Sequence, residues 1–467
     1  MLPVKHNARV RFLSPSRPVP PGPVLYWMQA SVRTHCNHAL EYALHLANHR
    51  GAPLEVVFVL TPGFPGATRR HYRFLIQGLM DVAAALKERR ISFSLVPGNP
   101  PVVVADLAAS ASTVVTDQGY LRIQREWRTA VVQTTSVPVV QVESNVVVPV
   151  EAASDKDQWA AATLRPRIHR LLDEYLVPLS PQETGISDRG AEQLKGAIPI
   201  PRDTAEVETL LDSLGVIDPG VESASAPVRG GQNEAERHLK DFLATGLHRY
   251  DELRNDPGLD RTSRLSPYLH FGHISPIEIA LSARSHADQY IPPEEQGGLQ
   301  AFLEELIVRR ELAMNFAHYN DNYDSWGGIP EWARTSLLEH SGDERPRIYT
   351  AGQLERAETD DPYWNACQRQ MVRTGRMHGY MRMYWGKKIL EWMQNPQDAF
   401  ALACELNDRY QLDGRDPNGY AGVAWCFGKH DRPWVERPIF GKIRYMNANG
   451  LKRKFKQIDS YVAAWAE

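Results

Sequence analysis

Cysteine is scarce in this chain of 467 residues: Cys36, Cys367, Cys404 and Cys426 stand far apart, with no CxxC. That spacing excludes a disulfide frame and a cysteine-based zinc site, and reads as reduced thiols in a cytosolic protein. Long apolar runs are missing too. Nothing approaches the roughly eighteen consecutive apolar residues of a membrane span. The opening "MLPVKHNARVRFLSPSRPVPPGPV" carries basic residues but no continuous apolar stretch, which argues against a secretory signal. Positive charge is not in excess, the formal net charge being −3, so a protein coated in positive potential is excluded while a local basic face is not. GxGxxG and a Walker A loop are both absent, and with them any dinucleotide or P-loop fingerprint.

What is present divides the chain. Proline density marks residues 1–23 as a flexible arm. From residue 24 to 180, "VLYWMQ", "LEVVFVL", "ISFSLVPG", "STVVTD" and "VPVVQVES" are short β-rich runs, separated by helical stretches such as Asn37–Ala47 and Tyr72–Arg89. This alternation predicts an α/β domain with a Rossmann-like parallel sheet covered on both faces. Residues 181–235, rich in Pro, Gly, Ser and acids, have linker composition. Residues 236–467 read as an all-α domain, and eight of the eleven tryptophans lie beyond the linker.

Five stretches carry candidate chemistry. In "TSRLSPYLHFGHIS" the hydroxyls of Thr262, Ser263 and Ser266 precede a proline suited to a helix start, fit either to cap the helix or to hold phosphate oxygens. In "EELIVRREL" a regular helix puts Glu305, Arg309 and Leu312 on one face with Arg310 beside it, as a site or as a solvated ion-pair ladder. "LNDRYQLDGRDPNGYAGVAW" crowds Asp413, Asp416 and Asn418 around glycines, which demands turns, fits no EF-hand, and offers groups for the edge of a heterocycle. "GKIRYMNANGLKRKFK" interleaves Arg444, Lys452, Arg453 and Lys454 with aromatics and no acid, as a nucleic-acid contact or a solvated face. In "MHGYMRMYWGKKILEW", Met381, Trp385 and Trp392 fall on one helical stripe, the pattern of ordinary core.

Taken together, these blocks resemble the photolyase/cryptochrome family, most closely the class II cyclobutane pyrimidine dimer photolyases. The likeness runs from "YWMQASVRTHCNHALEYA" through "LSPYLHFG", "DPYWNACQ" and the tryptophan stripe to "LDGRDPNGYAG" and "ERPIFGKIRYM". It implies an antenna-type α/β domain, a helical domain holding FAD, and light-driven repair of dimer-containing DNA by electron transfer from excited, reduced flavin. Carried over by motif, Tyr250 and Thr262, Ser263, Arg264, Leu265 and Ser266 would hold the phosphates and ribityl chain. Arg310, Arg382, Asn407, Asp413 and Asp416 would line the flavin, with Asn407 near its reactive nitrogen. Glu305 would contact the dimer, and Trp425 would wall the flipped bases. Trp385, Trp364 and Trp392 would relay electrons from the surface to the flavin. DNA contacts would extend to Arg309, Trp434, Arg444, Lys452, Arg453 and Lys454. Arg309 stands where some class II members have tryptophan, and Trp425–Trp434 is slightly short. The resemblance admits a deazaflavin or another antenna chromophore, and no metal. A monomer in the cytoplasm, associated with the nucleoid when bound to DNA, is expected. The rivals are a cryptochrome-like photoreceptor without repair activity and, from another class, a non-catalytic nucleotide-binding protein.

Overall fold

The computed structural model describes residues 8–14, 17–186, 194–216 and 228–466. Parts of the expected arm (1–7, 15–16) and of the expected linker (187–193, 217–227) lie outside the described residues. The apolar β-rich runs form a six-stranded sheet in the order β1-β6-β5-β2-β3-β4: β1 Val10–Phe12, β2 Val24–Met28, β3 Leu54–Leu60, β4 Ser92–Pro97, β5 Thr113–Asp117 and β6 Val139–Val142. All pairings are parallel except β1 with β6. Helices α1 (His38–Arg50), α2 (Arg69–Glu88), α3 (Pro100–Ala108) and α4 (Arg122–Thr134) cross between the strands. Every residue of β2, β5 and β6 is buried, as a sheet covered on both faces requires.

The described part of the arm is not free. Three residues gave no strand pattern, yet β1 pairs along the sheet edge, and the buried Arg9 guanidinium before it donates to the carbonyls of Glu143 (3.2 Å), Val146 (3.0 Å) and Val147 (2.5 Å). Within the stretch of linker composition, α6 (Thr204–Ser213) buries Val207 and Leu211 with the apolar side chains of α2. The helix that precedes it, α5 (Ala161–Tyr175), shares a core with the helical half.

The helical half contains α7 (Gln232–Thr245), α8 (Ser266–His270), α9 (Pro276–Tyr290), a π-helical turn Glu304–Arg309 running into α10 (Arg310–Tyr319), α11 (Pro362–Thr374), α12 (Gly379–Trp392), α13 (Pro396–Tyr410) and α14 (Pro417–Cys426). Polar side chains lock the halves together. Arg33, fully buried, donates to Gly272 O (3.0 Å) and Asn145 Oδ1 (2.8 Å), while Arg310 donates to Asn145 O (2.6 Å). Gly272 has φ +70°, and a Cβ there would meet Ala30 O at 2.1 Å, so the seam requires glycine at that point. On α2, Arg70 donates to Tyr410 O (3.0 Å), and His71 Nε2 meets Gln411 O at 2.9 Å. Among the described residues no helix is long and apolar enough to cross a membrane.

Candidate functional site

The hydroxyl-rich run ahead of α8 supplies no side-chain cap to that helix. Arg264 takes a left-handed conformation (φ +58°) and pairs with Asp260 at 2.5 Å, turning the chain so that residues 262–266 form one wall of a cavity of about 720 Å³. Tyr250, Thr262, Ser263, Arg264, Leu265, Ser266, Glu305, Arg310, Arg382, Asp413 and Asp416 all lie on its lining. Residues from opposite ends of the helical half thus converge on one space.

Its electrostatics rest on two buried carboxylates. Asp413 receives both of its contacts with Arg382 Nη2 at 2.9 Å, and Arg382 also reaches Gln411 Oε1 at 3.2 Å. Burial alone would push the Asp413 carboxyl up, but the guanidinium and the Ser266 hydroxyl hold it below its ordinary value. Asp416 caps α14 through Asn418 N (2.8 Å) and meets His270 Nδ1 at 3.1 Å. Burial opposes ionisation there as well, yet the contacts with His270 bring the carboxyl down to about 2.

The face assignment around Glu305 differs from expectation. Glu304–Arg309 is a π-helical turn, wider than a regular helix and hydrogen-bonded between residues five apart, and here Glu305 and Arg310 line the cavity while Arg309 does not. Arg309 instead pairs with Glu304 (3.1 Å) in solvent, and Leu312 is packed in the core. Glu305 is held by Arg254 at 2.7 Å, and burial followed by the Glu305 charge raises the Tyr250 hydroxyl to about 12.

Asn407 is off this wall. It lines an adjoining pocket of about 40 Å³ with Trp385, sharing Arg382, Asn418 and Gly419 with the larger cavity. From Trp385 the indoles continue inward. Trp364 Nε1 donates to Trp385 O (3.0 Å), Trp385 Nε1 donates to Gln368 Oε1 (2.9 Å), and the rings of Trp364 and Trp392 meet edge to face at 5.5 Å. Trp392, the expected surface end, is only 4% exposed; Tyr349 packs on it at 5.2 Å between ring centres. The stripe is therefore core as well as candidate conduit.

Apart from Arg309, the expected DNA contacts form two groups. Arg444 lies between the indoles of Trp425 (5.7 Å) and Trp434 (4.7 Å), and Trp434 is 37% exposed. Lys452, Arg453 and Lys454 end a separate short helix, Ala448–Lys454, where Lys452 sits over Tyr363 (5.6 Å) and Lys454 over Tyr380 (4.4 Å). Sequence reasoning missed Asp260, His270, Arg376 and His378, which also line the cavity. His378 caps α12 in place of a hydroxyl, burial lowers it to about 4, and its Nε2 is buried with no hydrogen-bond partner. A histidine directly before the glycine that opens the tryptophan stripe was the available signal.

The DNA photolyase family model matches residues 24–184. The deoxyribodipyrimidine photo-lyase of Methanothermobacter thermautotrophicus is 50% identical over 461 residues, covering 98% of this chain and 98% of its own. The protein of that name from Oryza sativa subsp. japonica is 44% identical over 471 residues, covering 98% and 90%. Among solved structures, a class III photolyase from Agrobacterium tumefaciens superposes with a TM-score of 0.74 at 18% identity, covering 97% of this chain and 88% of its own. An archaeal photolyase from Sulfolobus tokodaii with two FAD molecules gives 0.70 at 16%, covering 95% and 90%.

Proposed function

Because the chain belongs to the DNA photolyase family, we propose that it is a light-driven repair enzyme of the class II type, acting on cyclobutane pyrimidine dimers in DNA with FAD as its cofactor. One observation carries this reading: the hydroxyl run 262–266, the Arg382–Asp413 pair and Glu305 border one cavity, and Trp385 borders the pocket beside it. The volume of about 720 Å³ is that of a cofactor site. The donor set suits FAD, since the hydroxyls of Thr262, Ser263 and Ser266 line the cavity without being committed to a helix cap, and the buried His378 Nε2 has no hydrogen-bond partner of its own. Arg310, Arg382, Asp413 and Asp416 would face the polar edge of the flavin, with Asn407 reaching it from the adjoining pocket. When bound, reduced FAD supplies upon excitation the electron that opens the cyclobutane ring and afterwards takes it back.

The remaining roles belong to this chain. Glu305 accepts from a thymine N3–H, or donates when protonated, while Arg254 fixes its carboxyl. Trp425 and Trp434 provide apolar surface for bases that have left the stack, as the buried position of a dimer inside a duplex requires. Arg309, Arg444, Lys452, Arg453 and Lys454 supply phosphate affinity that weakens with salt. An antenna chromophore such as a deazaflavin belongs to the same reading.

The test is repair itself. Purified protein is incubated under reductant with an oligothymidylate carrying cyclobutane dimers, and the recovery of thymine absorbance is compared in blue light and in the dark. Recovery only in the light supports the proposal. A flavin-loaded protein that restores nothing is a photoreceptor, and a colourless one refutes the cofactor assignment. In the same assay Glu305→Ala is expected to lower repair about tenfold or more while retaining FAD, because one charge-assisted hydrogen bond to the dimer is lost. Release of FAD would instead make Glu305 part of the cofactor wall.

A further inference from the structure

Helix α12 carries two adjacent lysines that are both buried but differently satisfied. Lys388 pairs with Glu391 at 2.8 Å and lies 4.0 Å from Asp361. Lys387 is 0% exposed and forms no ion pair among the described residues. Its Nζ donates to Cys426 O at 2.6 Å, on the last residue of α14, and sits 5.1 Å from the centre of the Trp425 ring. An ammonium taken wholly out of water without a counter-charge is costly, and one hydrogen bond to a helix-end carbonyl offsets only part of that cost.

What the cation does have is a place in an ordered stack. Both Lys387 and Arg444 lie over the Trp425 ring, and Arg444 is followed by Trp434 and Arg432, the last at 5.3 Å. Cations and indoles alternate from the core outward to exposed Trp434. The inner end is the rigid one. Helices α12 and α14 approach so closely there that a Cβ on Gly386 would lie 2.7 Å from Cys426 Sγ. The ammonium also caps the carboxyl end of α14, the helix whose amino end holds Asp416 in the cofactor cavity.

We propose that Lys387 is a positioning residue for the damaged bases: its buried ammonium fixes the Trp425 indole from beneath, and through Trp425 and Arg444 sets the affinity for dimer-containing DNA. This rests on the repair function proposed above. A cation against a desolvated indole face is at the strong end of such contacts, so its loss is read as a change of about tenfold or more in the dissociation constant for the lesion.

Lys387 is held by burial at about 8, with Cys426, Asp431 and Arg444 the titratable and charged groups facing it. The ammonium is therefore complete below that pH and lost above it. Lesion affinity of the wild-type protein should fall as pH rises through about 8, beyond the change seen with undamaged duplex. Because the folded protein holds this proton less tightly than the unfolded chain, the stability cost of the charge is greatest below that pH and is relieved above it.

The experiment measures dissociation constants of the flavin-loaded protein for a duplex with one cyclobutane dimer and for the same duplex undamaged, between about pH 7 and 9.5, alongside Lys387→Met. The expected result has three parts. The variant melts no lower than wild type, binds the lesion about tenfold or more weakly, and shows no lesion-specific pH dependence. A variant matching wild type in affinity and pH profile overturns the proposal, as does one that melts far lower yet discriminates normally. Should Lys387→Met fail to fold, a flat wild-type profile across the same range overturns it alone. A wild-type protein that shows no preference for the lesion overturns the repair function together with this role, a result distinct from preference retained in the variant.

Discussion

Trp385→Phe is expected to leave the protein folded and able to bind flavin, but with photoreduction fallen to background. The repair activity of chemically reduced protein should persist. Trp385 borders the pocket that joins the main cavity, and its carbonyl accepts from Trp364, whose ring leads to Trp392. A phenyl ring keeps most of the packing yet is far harder to oxidise than indole. Gln368 Oε1 loses its donor, which costs about 1–3 kcal/mol of stability as a buried acceptor left unsatisfied. Bleaching of flavin absorbance under blue light with an external donor reads the first effect, and dimer repair after dithionite reduction reads the control. Loss of both makes Trp385 structural, and photoreduction at the wild-type rate moves the conduit elsewhere.

Arg382→Met is the variant with the largest expected cost to the fold. It removes the guanidinium that holds Asp413 ionised against burial, while the carboxylate stays in place. Losing one partner of a buried pair costs about 3 kcal/mol at the lower end of the usual range, the end that applies because Arg382 is 29% exposed. FAD retention should fall with it. The pH response inverts as well. In the wild type the Asp413 contribution is full above the ordinary carboxylate value of 3.8 and is lost as pH falls through the lower folded value. In the variant the Ser266 hydroxyl remains, but burial is the larger effect and raises that carboxyl, so stability should increase as acid protonates it. Thermal melts across the acid range, with and without added FAD, decide this. A variant with wild-type melting and flavin content would remove the pair from the site.

The parallel sheet was legible because its five parallel strands lie in short runs dominated by apolar and β-branched residues, each separated from the next by a helical stretch. Strand β1 was not, since three residues carry no period and its anchor, Arg9, is satisfied by carbonyls more than 130 positions away. In the site, the hydroxyl run and the Asp413–Asp416 turn stood out by composition. The register of Glu305 did not, because a π-helical turn is imposed by packing and leaves no mark on the sequence. Trp392 illustrates a different limit: helical spacing put it on the right stripe, but tertiary neighbours such as Tyr349 and Trp364 determine how far it lies from water. Arg376 and His378 escaped notice because each looks like a surface residue until Asp260 and the start of α12 close around it.

The contact of α2 with Gln411 has a consequence for inheritance. His71 is buried and neutral; Thr68 N donates to its Nδ1, leaving Nε2–H to donate to Gln411 O, while the Gln411 side chain meets Arg382. Arg70 reaches Met371 and Tyr410 from the same helix. A gene segment for the amino-terminal half therefore cannot be exchanged freely between lineages, because it carries part of the scaffold for the other half's cavity. Recombination between distant relatives would have to preserve this seam, which ties the history of the two halves into one.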